Sequence, residues 1–195
     1  MYDIKKTIQN SIKIKQKMLK TCIEELNKAS DIMYNSIKKG KKIIWCGNGG
    51  SAADAQHMAA ELMGGLTSHN RKPIASVALT TDTSFITAWS NDTEYSTIFS
   101  RQIEGIGKKG DILITISTSG NSKNIIKAIK TAKKKKLITI ILTGSNGGKI
   151  LNLGDVKICI PSNNTQRIQE GHLLAEHILC EILEQKILNQ SKLVM

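Results

Sequence analysis

Residues 43–61 read Ile43-Ile44-Trp45-Cys46-Gly47-Asn48-Gly49-Gly50-Ser51-Ala52-Ala53-Asp54-Ala55-Gln56-His57-Met58-Ala59-Ala60-Glu61. An apolar run stops at a Gly-rich corner and gives way to an Ala-rich segment. That is a strand, a tight loop and a helix start. Unpaired N–H groups in the loop and the positive end of the helix dipole make an anion site. His57 and Glu61 are four residues apart and share a face of that helix. An anion cradle with a base and a candidate metal ligand beside it points to chemistry on a phosphorylated small molecule. Gly47-x-Gly49-x-x-Ala52 also fits a relaxed dinucleotide pattern. A nicotinamide site wants an acidic residue about 20 positions on. The candidate, Asp82, comes about 30 residues after the loop, so that alternative is set aside. Ser51 and Asp54 have the spacing of a capping box, so Ser51 caps the helix, with or without also meeting the ligand.

The same alternation recurs. Strands are predicted at 42–46, 74–79, 111–117, 137–142 and 156–161. Helices are predicted at 51–63, 83–90, 94–107 and 122–135, with a short one after Gly148 and a long one at 166–188. Five strands alternating with helices predict an α/β fold. Its centre is a five-stranded parallel sheet flanked by helices, a flavodoxin-like three-layer sandwich. Residues 3–39 are Lys-rich and place Ile4, Ile8, Ile12, Met18, Ile23, Leu26, Ile32, Met33 and Ile37 at helical spacing. They predict two helices ending at Gly40. Because these precede the first strand, residues 1–195 divide into an N-terminal helical arm (1–40) and an α/β core (41–195) within one domain. The arm's apolar stripe needs cover, and a second copy would supply it.

The net charge of +12 raises the question of nucleic acid. The charge is mostly Lys spread along helices, and only 4% of residues are aromatic, which leaves few stacking platforms. Lys133-Lys134-Lys135-Lys136 falls at a predicted helix end, where cations suit the dipole. No nucleic-acid partner is expected. No apolar run approaches the roughly 20 residues of a membrane span. The start Met1-Tyr2-Asp3-Ile4-Lys5-Lys6 lacks a secretory core, so a cytoplasmic protein is expected. Cys22, Cys46, Cys159 and Cys180 form no CxxC pair and read as buried free thiols.

In such sheets ligands sit beyond the carboxyl ends of the strands. The loops there are 47–51, 80–83, 117–122 and 143–148, and the informative residues fall on the first three. Ser117-Thr118-Ser119-Gly120-Asn121-Ser122 puts four hydroxyls into six residues at a helix start. One Ser would be an ordinary cap; four suit a phosphate. No Walker lysine follows, which argues against an NTPase. The last helix carries Arg167-Ile168-Gln169-Glu170-Gly171-His172-Leu173-Leu174-Ala175-Glu176-His177. His172 and His177 point to different sides. Gln169 and His177 lie about 80° apart around the axis and flank one site. His69, in a polar loop, receives no role.

Cys46 to His57, Ala78-Leu-Thr-Thr-Asp82, Asn91-Asp92, Ile116-Ser-Thr-Ser-Gly-Asn-Ser122 and Arg167-Ile-Gln-Glu170 together resemble the sugar isomerase (SIS) family, over nearly the whole chain. The resemblance implies an aldose–ketose isomerase that converts D-sedoheptulose 7-phosphate to D-glycero-D-manno-heptose 7-phosphate through an enediol, supplying heptose for bacterial lipopolysaccharide or capsule. It implies a homotetramer with sites built between subunits. It places Asn48, Gly49, Gly50 and Ser51 in a first substrate loop, Asn91 and Asp92 as a substrate-contacting pair, and Ser117, Thr118, Ser119 and Ser122 in the phosphate loop. His57, Glu61, Gln169 and His177 match a zinc site, one ion per subunit, that also touches the substrate. Glu61 matches the base and His177 the acid.

Chemistry agrees in part. His and carboxylate at this spacing suit zinc, while a Gln oxygen is a weaker ligand. A carboxylate bound tightly to zinc is a poor base, so Glu61 is assigned as base ahead of ligand. Three rivals are weighed. Non-catalytic SIS regulators that bind a replication-initiation protein replace the counterparts of Glu61 and His177, both present here. A sugar-phosphate-sensing transcription regulator needs a helix-turn-helix that the arm does not offer. The third is an isomerase of another phosphorylated ketose. Residues 66–72 and 93–97, and Gln166, depart from the family's pattern; they bear on the sugar, not the reaction class. The expectation is that corner 117–122 holds the charged tail while Glu61 and His177 face the carbonyl end across the same cavity.

Overall fold

Each apolar run predicted to be a strand becomes one in the computed structural model, which describes residues 3–192. The strands are β1 (Ile43–Gly47), β2 (Ser76–Ala78), β3 (Ile112–Ser117), β4 (Ile138–Gly144) and β5 (Val156–Ile160). All neighbours are parallel, in the order β2-β1-β3-β4-β5. β1 and β3 are buried along their whole length. Helices cover both sheet faces, so these strands carry no polar alternation. β2 is shorter than predicted because Ile74 gives its N–H to the Leu62 carbonyl (3.1 Å) rather than to the sheet.

The helices are α1 (Ile4–Thr21), α2 (Ile23–Lys38), α3 (Gly50–Gly64), α4 (Thr83–Asp92), α5 (Ile98–Ile106), α6 (Lys123–Lys134) and α7 (Thr165–Lys192). The helix predicted at 94–107 is instead a 3₁₀ turn, Tyr95–Thr97, followed by α5. Successive strand residues feed opposite cores. Ile43, Trp45, Ile112 and Ile114 join α2, α3 and α7 on one face. Ile44, Cys46 and Leu113 join α5 and α6 on the other.

The arm is less separate than its position before β1 predicts. Met18, Cys22, Leu26, Ala29 and Met33 are buried in the same core as β5 and α7. Among the described residues of the arm, the large apolar side chains that stay exposed are Ile4, Ile8, Ile12, Leu19 and Ile23, each by half or more. Cys22, Cys46 and Cys180 are buried and free as expected; Cys159 is only half-buried. Burial raises all four thiols, which keeps them protonated. Among the described residues no helix is long and apolar enough to cross a membrane.

One buried ion pair closes the loop after α3. Glu184, on α7, accepts from the N–H groups of Leu66 (3.0 Å) and Thr67 (2.8 Å), from the Thr67 hydroxyl and from Arg71 Nε (2.6 Å). Arg71 Nη2 also donates to the Glu61 carbonyl (2.8 Å), which ties the end of α3 to α7. Both side chains are 1% exposed. Burial pushes the Glu184 carboxyl up, but the bonds from Thr67, Arg71 and Leu66 outweigh it and hold it at about 2. A carboxyl lowered by folding adds stability that is present above its unfolded value, 4.5, and is lost as pH falls toward 2. Arg71→Leu is expected to cost about 3–5 kcal/mol at neutral pH, because it strands a buried charge. The deficit should narrow between pH 4.5 and 2. Urea unfolding over that range checks it; an unchanged midpoint at pH 7 would show that the clasp contributes nothing.

Candidate functional site

Strand order reverses between β1 and β3, where a doubly wound sheet opens a crevice at its carboxyl end. The loop after β1 turns tightly onto α3. A side chain at Gly47 would collide with Ser51, and Gly49 caps the helix at φ +56°. The predicted capping box does not form. Gly49 rather than Ser51 is the cap, because Ser51 N already bonds Asn48 O (3.0 Å) inside the first turn. No side chain caps α3, which keeps its N-terminal field available to an anion.

The loop after β3 holds the hydroxyl cluster. Ser117 is buried, Thr118 and Ser122 are half-buried, and Ser119 is exposed. Gly120, at φ +62°, lies so close to Gly147 that any side chain would collide with its backbone. Asn121 donates to Ser119 O (2.9 Å), and its N–H bonds the Ser119 hydroxyl (3.2 Å). Part of the cluster thus builds its own turn. Ser122 sits at the N-cap of α6 without a side-chain bond to the helix. A hollow of about 270 Å³ opens among Thr118, Ser119, Asn121 and the loop 144–148. That fourth loop carried no predicted role.

α3 and α7 pack side by side and bring the ionisable groups together. His57 Nε2 lies 3.1 Å from Glu61 Oε1, and the His57 ring stands edge-on to His177 at 5.1 Å. His177 Nδ1 is 3.0 Å from the Leu173 carbonyl. A carbonyl only accepts, so Nδ1 carries the hydrogen and Nε2 is left for a ligand. Gln169 rests against the first loop: a Cβ on Gly50 would come 2.9 Å from its Nε2. A second hollow, about 300 Å³, is lined by Gly50, Asp54, Gln166, Gln169, Glu170 and Leu173.

Two expectations change. The corner and the Glu61–His177 pair do not share one enclosed cavity within a single chain. The first turn of α7 separates the hollows, with Ile168 lining one and Gln169 the other. The first loop lines the second hollow at Gly50 and reaches the start of α6 at Asn48, which bonds Asn124 in both directions (3.0 and 2.8 Å). Asn91 and Asp92 bond each other (2.8 Å) at the exposed end of α4, and no hydrogen bond among the described residues joins them to the loops.

In kind, two imidazoles, a carboxylate and an amide oxygen suit zinc. Among the described residues no three His, Cys, Asp or Glu side chains are grouped to hold a metal ion. His57 instead turns its Nε2 onto Glu61.

Four residues of this region were not predicted: Asp54, Glu176, Asn124 and Tyr95. Tyr95 Oη donates to Asn48 Oδ1 (2.9 Å). Glu176 is fully buried, and neither carboxyl oxygen has a partner among the described residues. Burial, and then Asp54, push its carboxyl up to about 8. Burial also raises Asp54, against the pull of His57 and His177. His172 is fully buried, and burial holds it near 4, so it is neutral. The one sequence signal for Glu176 is an acid interrupting the apolar stripe of α7. A carboxyl raised by folding destabilises progressively from its unfolded value, 4.5, to its folded one, near 8. Glu176→Leu is therefore expected to raise the melting temperature, with a gain that grows from pH 5 to pH 8. A lower melting temperature at pH 8 would show that the acid is held by a partner.

The family model described as SIS domain matches residues 8–144. A phosphoheptose isomerase of Aliarcobacter butzleri is 51% identical over 171 residues, 88% of this chain and 90% of that one. A phosphoheptose isomerase of Sulfurimonas denitrificans is 51% identical over 189 residues, 94% of this chain and 95% of that one. The solved phosphoheptose isomerase of Neisseria gonorrhoeae superposes with a TM-score of 0.88 at 43% identity, covering 93% of this chain and 97% of that one. The chain belongs to the SIS-domain family, among its phosphoheptose isomerases.

Proposed function

We propose that this chain is an aldose–ketose isomerase that converts D-sedoheptulose 7-phosphate to D-glycero-D-manno-heptose 7-phosphate. The observation that carries the reading is the Glu61–His57–His177 cluster on packed helices, in a chain whose two crevice loops lead to helix starts without side-chain caps. Relatives that share about half their residues over nearly the full length support it. The hydroxyls of 117–122 and the amino end of α6 take the phosphate. Asn48, Gly49, Gly50, Ser51 and Gln169 take the sugar chain, and Asn91 and Asp92 contact it once the site is complete.

Glu61 removes a proton from C1 of the ketose while His177, entering with a proton on Nε2 as well as the Nδ1–H held by the Leu173 carbonyl, gives the Nε2 proton to the C2 oxygen, which yields the enediol. Glu61 then returns its proton to C2. The C1 hydroxyl proton passes to His177, and an aldehyde remains at C1. The proton count closes, and both residues end as they began. His57, bonded to Glu61, orients that carboxylate. Zinc, one ion per subunit, would be held by His57, Glu61, Gln169 and His177 in the resting site and would polarise the sugar oxygens, with Glu61 and His177 free of the metal when they act as base and acid.

The exposed stripe Ile4, Ile8, Ile12 supports a homotetramer, in which neighbouring copies cover α1 and close the open hollows into a site between subunits. A cytoplasmic enzyme feeding lipopolysaccharide or capsule heptose fits the same reading.

Purified protein incubated with sedoheptulose 7-phosphate should produce an aldose phosphate by NMR, with little turnover of fructose 6-phosphate or ribulose 5-phosphate. Preferred turnover of either would shift the substrate. Glu61→Gln is expected to lose about 10³-fold or more in kcat with the fold intact by circular dichroism; full activity would remove Glu61 as base. EDTA should strip zinc measurable by elemental analysis and lower the melting temperature. If the protein as purified holds no zinc and EDTA leaves its melting unchanged, the metal assignment is wrong.

A further inference from the structure

The bridge across the crevice is more specific than a contact between two loops. Asn124, 3% exposed, accepts the N–H of Ile125 at its Oδ1 (2.9 Å), which fixes which way its amide faces. Its Nδ2 then donates to Asn48 Oδ1 (2.8 Å), and Asn48 Nδ2 donates back (3.0 Å). Tyr95 Oη supplies the second hydrogen bond to Asn48 Oδ1 (2.9 Å). Each amide oxygen now accepts two hydrogen bonds and is saturated. Each amide nitrogen has used one of its two hydrogens. To a ligand, the pair therefore offers donors only.

Tyr95 is held for this task by its flanks. Lys127, on α6, bonds Glu94 (2.5 Å) and Ser96 (2.7 Å), one on each side of it. The ring itself is 53% exposed, so the hydroxyl rather than the ring's packing ties the segment to the first loop. Residues 94–96 thus strap α6 to the loop after β1 at the point where strand order reverses.

We infer that Tyr95 and Asn124 are positioning residues that lock the Asn48 amide as a fixed hydrogen-bond donor between the two ligand loops, and so select a phosphate ester whose chain presents acceptor oxygens near the corner. The inference rests on the proposed function for its substrate, and calorimetric binding tests it without turnover. Tyr95→Phe deletes one donor and leaves an exposed ring in place. It is expected to weaken sedoheptulose 7-phosphate about fivefold in KM and in calorimetric Kd, the worth of one net hydrogen bond. Its kcat should stay within twofold, and so should the Kd for inorganic phosphate, which probes the corner alone. Asn124→Asp, which sets an acceptor against Asn48 Oδ1, should cost more. In an Asn48→Ala background Tyr95→Phe should have no further effect. Unchanged sugar-phosphate affinity in Tyr95→Phe, an equal loss for inorganic phosphate, or a full effect in the Asn48→Ala background would each overturn the inference. Wild-type binding without turnover would overturn the isomerase assignment alone. No wild-type binding would overturn both.

Discussion

Between β1 and β3 the chain must send its helices to opposite faces of one sheet. α3 leaves β1 toward the core that contains α7, and α6 leaves β3 toward the core that contains α5. The two loops therefore diverge, and a crevice opens that no main-chain ladder fills. Two helix starts point into it, each without a side-chain cap bond. Their N–H groups and dipoles favour a multiply charged anion there. The tight corner at Gly47 and the close pass of Gly120 against Gly147 serve the same geometry, since each brings backbone to where a side chain would block it.

α7 couples that crevice to the core. Its buried side includes His172, Glu176 and Glu184, three ionisable groups in a layer that is otherwise apolar. Glu184 is satisfied by Arg71 and the 66–67 backbone and is held ionised. Glu176 has no such partner among the described residues and is held neutral. The same helix thus shows both outcomes of burying a carboxyl, and the supply of donors decides between them. Arg71 also grips the Glu61 carbonyl. The segment 66–72 therefore helps fix the end of α3, where Glu61 stands.

Much of the fold was legible because its signals are local. Apolar runs ended by Gly or Ser corners mark strands, and these positions hold within a few residues. How much of the arm's stripe is buried within the chain was not legible, for a reason of the opposite kind. Met18, Cys22, Leu26 and Met33 are covered by β5 and α7, more than a hundred residues away, which periodicity does not reveal. At the site, His57 and Glu61 could be paired from helical spacing, and His177 joined them through resemblance. Asn124 and Tyr95 could not be found this way. An Asn in the first turn of a helix and a Tyr in a polar loop have common local explanations; only the long-range bonds to Asn48 distinguish them.

The separation of the two hollows then has a physical meaning for assembly. One chain provides a hydroxyl-lined hollow on one side of the first turn of α7 and a second hollow, lined by Asp54, Gln169 and Glu170, on the other, with Gln169 resting against Gly50. Enediol chemistry needs a shielded site, since bulk water weakens every electrostatic contact to the intermediate. Both hollows are open, and His57 is about half exposed. The uncovered Ile4–Ile8–Ile12 stripe lies on α1, which also lines a groove against Ser162, Asn164 and Arg167 beside the start of α7. The groove is lined by Thr7, Asn10, Lys13, Ile14 and Lys17, on the side of α1 turned away from the stripe, so covering the stripe and closing the crevice would take different contacts. The hydrophobic need of the arm and the need of the chemistry for a drier site would then be met by two separate contacts of one assembly.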